Sequence, residues 1–126
     1  MVTAPPPPPP AAIVRAWSRA LNANDNEAAA ALFAPGARVV QPGVDVRVTA
    51  RLALAFNASL PCGGRITRLQ RHGRRVVATF VLTERPKHRC DGPGQQAAAL
   101  FVVNRRGLIV RWEQVPVPAK QPPARA

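Results

Sequence analysis

The chain has 126 residues, a formal net charge of +12 and 47% hydrophobic residues, enough for one core but not for two. No apolar run reaches the roughly 20 residues that a bilayer-crossing helix needs. The first residues also lack the basic and apolar regions of a secretory signal, so a cytoplasmic location is expected. The charge invites a nucleic-acid reading, but sixteen of the eighteen basic residues are Arg, spread over several segments, and Tyr is missing altogether. Without an aromatic ladder to stack bases, we expect a solvated basic surface and no specific nucleic-acid partner.

In chain order, the proline run Pro5 to Pro10 predicts a stiff polyproline II tail over residues 1–9. Pro10 suits the first position of a helix. From there Ile13, Val14, Trp17, Ala20 and Leu21 recur at helical spacing, with Arg15 and Arg19 on the opposite side. A second helix is predicted from Asn26 to Phe33, capped by Asn24 or Asp25 and stopped by Pro35-Gly36. Short strands follow at Ala37 to Gln41 and Val44 to Val48, turning at Pro42-Gly43. Thr49 caps a third helix, Ala50 to Ser59, ended by Pro61.

The second half reads as strands. Arg74 to Glu84, Ala97 to Asn104 and Leu108 to Val115 are rich in β-branched or aromatic residues and bounded by Gly, Pro or Asn, and Gly64 to Arg71 is a weaker strand ahead of them. This order predicts an α+β domain over residues 10–117, with three N-terminal helices packed on one face of a curved, mainly antiparallel sheet. Residues 118–126 are expected to be a second, disordered Pro-rich tail.

If His72-Gly73 turns a hairpin, Cys62 and Cys90 lie at its same open end. A disulfide between them is geometrically reasonable and worth roughly 3 kcal/mol of loop entropy; two free thiols in a reducing cytoplasm are the alternative. A bridge, together with processing of the chain, would favour secretion instead. Two cysteines with His72 at the opposite end make a poor zinc set, so no metal or cofactor is expected.

Ala28 to Val40 (AAAALFAPGARVV) resembles the helix-to-strand signature of nuclear transport factor 2-like, or SnoaL-like, domains, and Ala99 to Trp112 resembles their last hairpin. The resemblance covers nearly all of residues 10–117. It implies a cone whose curved sheet and helices enclose a pocket, used in that family by isomerases, hydrolases, polyketide cyclases and dehydratases. Other members are non-catalytic binding or dimerisation proteins.

Only six acidic residues are available for chemistry. Asp25 and Glu27 are accounted for as helix-start residues. Asp45 lies on a strand where the family presents pocket side chains, and Glu84 shares parity with Val76, Ala78, Phe80 and Leu82. An ion pair of Glu84 with Arg85 or Arg111 is the competing expectation. His88 and Asp91 share one unusual loop and could form an oriented general base. Trp17, Phe56, Phe80, Trp112 and Gln114 are the expected pocket wall: large apolar surfaces beside an uncharged hydrogen-bonding group. The Tyr-plus-Asp oxyanion arrangement of ketosteroid isomerase-like members is excluded for want of Tyr. The leading expectation is a pocket for a small apolar ligand. The rival is a homodimerisation module using the sheet face of Val77, Thr79 and Val81 beside Phe101 and Val103.

Overall fold

A computed structural model of the protein describes residues 3–119. Residues 1–2 of the expected N-terminal tail and 120–126 of the C-terminal one lie outside the described residues. Three helices, α1 (Pro10–Asn22), α2 (Asn26–Ala31) and α3 (Ala50–Ser59), accompany six strands: β1 (Phe33–Gln41), β2 (Val44–Val48), β3 (Gly63–His72), β4 (Arg75–Thr83), β5 (Gln96–Val103) and β6 (Ile109–Val115). All six strands join one sheet in the order β2-β1-β6-β5-β4-β3. Every pairing is antiparallel except β1 with β6.

The four-stranded meander is therefore present, and the short hairpin is not separate from it. It extends the sheet by pairing β1 alongside the last strand. Only α1 and α2 precede the first strand; α3 follows β2, so the helices are not all N-terminal. Helix α2 ends with its alanine run at Ala31, two residues short of the expected end at Phe33. Leu32 O accepts from Ile109 N at 2.7 Å, and Phe33 pairs with Ile109. Sheet pairing captures the chain before Pro35-Gly36 is reached, and the breaker dipeptide lies within β1.

The helix starts follow local chemistry. Pro10 occupies the first turn of α1. The Asp25 carboxylate accepts from Ala28 N at 3.0 Å and the Thr49 hydroxyl from Leu52 N at 3.2 Å. Val14, Trp17 and Leu21 of α1 are buried against Val76, Ala78 and Phe80 of β4 and Ala99, Phe101 and Val103 of β5. Phe101 and Val103 thus face the helices. The opposite sheet face carries Val77, Thr79 and Val81 beside Leu100, Ala98 and Gln96, their register partners.

Three register shifts break the alternation, the first in β1 between Phe33 and Arg38 where it pairs with β6. A second falls between Ile66 and Arg68 of β3. The third shifts the β5–β6 register, pairing Val103 with Ile109 and Val102 with Arg111. Ile109 is thereby fully buried in the same core as Trp112, although simple alternation puts the two on opposite faces.

The most deeply held charged group is Arg85, just beyond β4 and 2% exposed. Its guanidinium donates to Leu21 O at 3.1 Å, Asn57 O at 2.9 Å and Leu60 O at 2.5 Å, and to the Asn26 side-chain oxygen. These acceptors sit at the C-terminal ends of α1 and α3 and the start of α2. Burial pulls the Arg85 pKa below the usual arginine value, while the negative ends of the helix dipoles favour its charge. The expected ion pair of Glu84 with Arg85 or Arg111 does not form: Arg111 pairs with Glu113, and the exposed Glu84 carboxylate accepts a long 3.4 Å contact from Cys90 N. Cys62 and Cys90 are joined by a disulfide across 28 residues. At the other end of the domain Arg74 donates to Pro8 O, Val103 O and Asn104 O, anchoring the end of the proline run.

Replacing Arg85 by Met removes the donor to three helix-end carbonyls; Leu60 O loses the guanidinium outright, while Leu21 O and Asn57 O keep only the backbone N–H of Asn24 and of Leu60. Equilibrium denaturant unfolding is expected to show a loss of roughly 3 kcal/mol or more.

Candidate functional site

A cavity of about 290 Å³ lies between α1 and the inner face of the sheet. Its walls come from Trp17 and Leu21 of α1, Phe80 of β4, Ala97 to Ala99 of β5, and Trp112 and Gln114 of β6, with Leu60 to Gly64 along one side. The space exists because the inner face of β5 carries only small side chains here, Ala97 and Ala99. Phe80 is paired with Ala97 and Gln114 with Ala99, so no second bulky chain fills the gap.

The aromatic wall is a linked set of tilted and edge-to-face rings. Trp17 stands 6.2 Å from Phe80, 5.3 Å from Phe101 and 6.2 Å from Trp112, centroid to centroid. Trp17 is further held by its indole N–H, which donates to the Asn57 side-chain oxygen at 2.8 Å. Asn57 is fully buried and donates in turn to Ala53 O at 2.8 Å. The Trp112 indole N–H is buried with no acceptor. Ser18, Gln41 and Gln114 supply the remaining side-chain polarity. Among the described residues no ionisable side chain lines this space, because the one wall cysteine, Cys62, is in the disulfide.

Of the five residues expected to form a pocket wall, Trp17, Phe80, Trp112 and Gln114 border the cavity. Phe56 does not; it packs 6.0 Å from Phe33 and 4.9 Å from Trp112 and so buttresses the wall from behind. The four candidate acid–base residues do not meet. Asp45 is half exposed on β2, where Arg38 binds it through two hydrogen bonds of 2.7 and 2.5 Å. Both ring nitrogens of His88 lie 2.9 Å from carbonyl oxygens, those of Pro86 and Ala58, so His88 is not oriented by Asp91. Asp91 is 91% exposed and 3.7 Å from Arg89. Glu84 is exposed at the rim of the same loop. None of the four borders the cavity. Among the described residues no three His, Cys, Asp or Glu side chains gather as metal ligands.

Sequence reasoning missed Asn57 and Arg85. Asn57 had a usable signal: with Ala53, Phe56 and Leu60 it continues the inward face of α3, and a polar residue there needs a buried partner. Arg85 had none, since nothing in its neighbours distinguishes it from the exposed arginines.

A family model for the SnoaL-like domain matches residues 14–112. The chain belongs to the SnoaL-like domain family. Among curated protein sequences none matches it. Solved structures extend the fold likeness. An NTF2-like protein of unknown function from Cytophaga hutchinsonii superposes with a TM-score of 0.69 at 13% identity, covering 84% of this chain and 88% of that one. A candidate ketosteroid isomerase from Kribbella flavida gives 0.64 at 26% identity, covering 91% and 83%. A protein with a ketosteroid isomerase-like fold from Catenulispora acidiphila, solved with trimethylamine, gives 0.67 at 20% identity, covering 82% and 84%. SnoaL-like architecture accounts for the three helices and the six-stranded curved sheet.

The Arg38 hydrogen bonds and charge hold the Asp45 carboxyl below its ordinary pKa. A depressed carboxylate pKa contributes stability above the unfolded value near 4 and loses it as pH falls through the folded value. In Arg38→Gln the Asp45 NMR titration midpoint should rise toward that ordinary value, with no change in the environment of Trp112.

Proposed function

We propose that this SnoaL-like domain binds a small, uncharged, largely apolar molecule in the cavity beneath α1. The observation that carries the reading is the composition of that cavity: aromatic and alanine walls, three uncharged polar side chains, and no ionisable group. A charged ligand entering such a space would lose hydration without gaining a counter-ion. An uncharged one with a hydrogen-bond acceptor gains apolar contact and the amide and hydroxyl donors at the wall.

General acid–base catalysis is not supported by this lining, because Asp45, Glu84, His88 and Asp91 all lie elsewhere. Any cyclase, isomerase or hydrolase chemistry at the cavity would have to proceed without a proton-transferring side chain of these four. The fold neighbours named for ketosteroid isomerase lend the architecture, while the lack of Tyr removes one familiar oxyanion donor. The disulfide favours residence in an oxidising compartment over the cytoplasm.

Titration with a neutral fluorescent probe such as Nile red, followed by quenching of Trp17 and Trp112, should give saturable one-to-one binding. Ala97→Phe, at a half-buried wall position, should weaken it about tenfold or more with an unchanged melting temperature. The quadruple variant Asp45→Asn, Glu84→Gln, His88→Gln, Asp91→Asn should bind as the parent does. Non-saturable binding, or equal binding by Ala97→Phe, refutes the pocket.

A second reading is favoured by the outer sheet face. Val77, Val81, Leu100 and Val102 pair or neighbour one another there, on the side away from the helices. We infer that two copies pair through this face. Light scattering should return a dimer mass, reverting to a monomer in Val81→Lys; a monomer in the parent at high concentration rejects it.

A further inference from the structure

Apart from the cavity, the strongest unexplained feature is charge. Three ion pairs engage carboxylates among the described residues: Arg38–Asp45, Arg89–Asp91 and Arg111–Glu113. The flank where α1 lies against the edge strand β3 has none. An open groove of about 450 Å³ runs there, bordered by Arg15 and Arg19 of α1 and Arg65 of β3, with Asn22 and Thr83 supplying neutral polar groups. All three arginines are exposed. Asp25 and Glu27 belong to the start of α2, Asp45 to β2, Glu84 and Asp91 to the loop after β4, and Glu113 to β6. None makes an ion pair with Arg15, Arg19 or Arg65.

The groove is rigidly built. The Asn22 side chain copies a strand partner: it accepts from Gly64 N at 2.9 Å and donates to Gly64 O at 2.8 Å. A side chain on Gly63 would meet the Asn22 oxygen at 2.5 Å, so glycine is what lets α1 come this close. Ser18 adds a contact to Gly64 O at 3.5 Å. The separation between the helix that carries Arg15 and Arg19 and the strand that carries Arg65 is thereby set before any ligand arrives.

Ordinary roles explain the arginines singly. Arg19 suits the C-terminal dipole of α1, and Arg65 guards a sheet edge against pairing. Neither role calls for three unpaired guanidinium groups around one groove.

We propose that this groove is a second binding site, for a chain of phosphate groups. Guanidinium forks match phosphate oxygens bidentately, and three cations bordering one groove call for a ligand with several adjacent negative charges. No aromatic side chain borders the groove, so a nucleobase gains nothing there and recognition falls on the phosphates. A free oligophosphate and the backbone of a nucleic acid present the same chemistry. The site is independent of the ligand cavity.

Isothermal titration with inorganic tripolyphosphate at about 50 mM salt, where screening is weak, tests it. Saturable one-to-one binding is expected. The triple variant Arg15→Gln, Arg19→Gln, Arg65→Gln should bind roughly tenfold or more weakly. Arg51→Gln, Arg105→Gln, Arg106→Gln removes the same charge from exposed positions elsewhere and should stay within about threefold of the parent. All six side chains are exposed, and matching melting curves confirm that both variants are folded. Equal weakening in the two triples, or no saturation, overturns the site in favour of diffuse electrostatics. A short DNA duplex that displaces tripolyphosphate identifies phosphodiester backbones as a source of the ligand; a duplex that does not displace it restricts the site to free phosphate chains.

Discussion

The structure depends on how one cation is kept inside it. Arg85 is buried with no carboxylate among its hydrogen-bond partners, and carbonyl and amide oxygens do the work of a counter-ion. Helix C-termini end in carbonyls that have no intrahelical donor. Two such ends, from α1 and α3, converge on a group that has five donors in a fixed plane. Each side solves the other's problem: the helices gain a shared cap, and the guanidinium gains a negative environment. Lysine could not replace it, because a compact ammonium cannot span carbonyls that approach in different directions.

The consequences reach the cavity through short paths. Leu21 and Leu60 give their carbonyls to Arg85 and also border the cavity. Asn57 accepts from Arg85 with its backbone and from Trp17 with its side chain. The aromatic wall is therefore positioned by a polar network behind it, not only by ring packing. The disulfide closes the same end by linking the start of β3 to the loop that Arg85 begins. The interior stays apolar while its polar support is displaced one layer outward.

Element order and most boundaries were legible because each rests on local chemistry. Asp25 and Thr49 cap helices, Gly73 and Gly107 make turns, and β-branched runs mark β3 to β6. What was not legible rests on distant partners. The end of α2 is decided by Ile109, far along the chain. The inward turn of Ile109 is decided by a bulge, which alternation cannot foresee. Phe101 and Val103 were assigned to the outer face for a related reason: the register of β5 against β4 is a tertiary property. Within the candidate site, Trp17, Phe80, Trp112 and Gln114 could be chosen by size and polarity, while the acidic candidates were chosen by scarcity. Scarcity says which residues could react, but not where the fold puts them.

The parallel contact between β1 and β6 has a consequence for how the chain assembles. Strand β6 lies between β1 and β5, so the β1–β2 hairpin cannot dock until the last strand has been synthesised. During translation β1 waits with one edge unpaired while the meander grows. Such long-range pairing slows folding, and the waiting edge is the part of the molecule most exposed to wrong partners. Arg38, Asp45 and Arg47 on this hairpin then act as gatekeepers: they place charge along an apolar ribbon during the interval in which it has no neighbour.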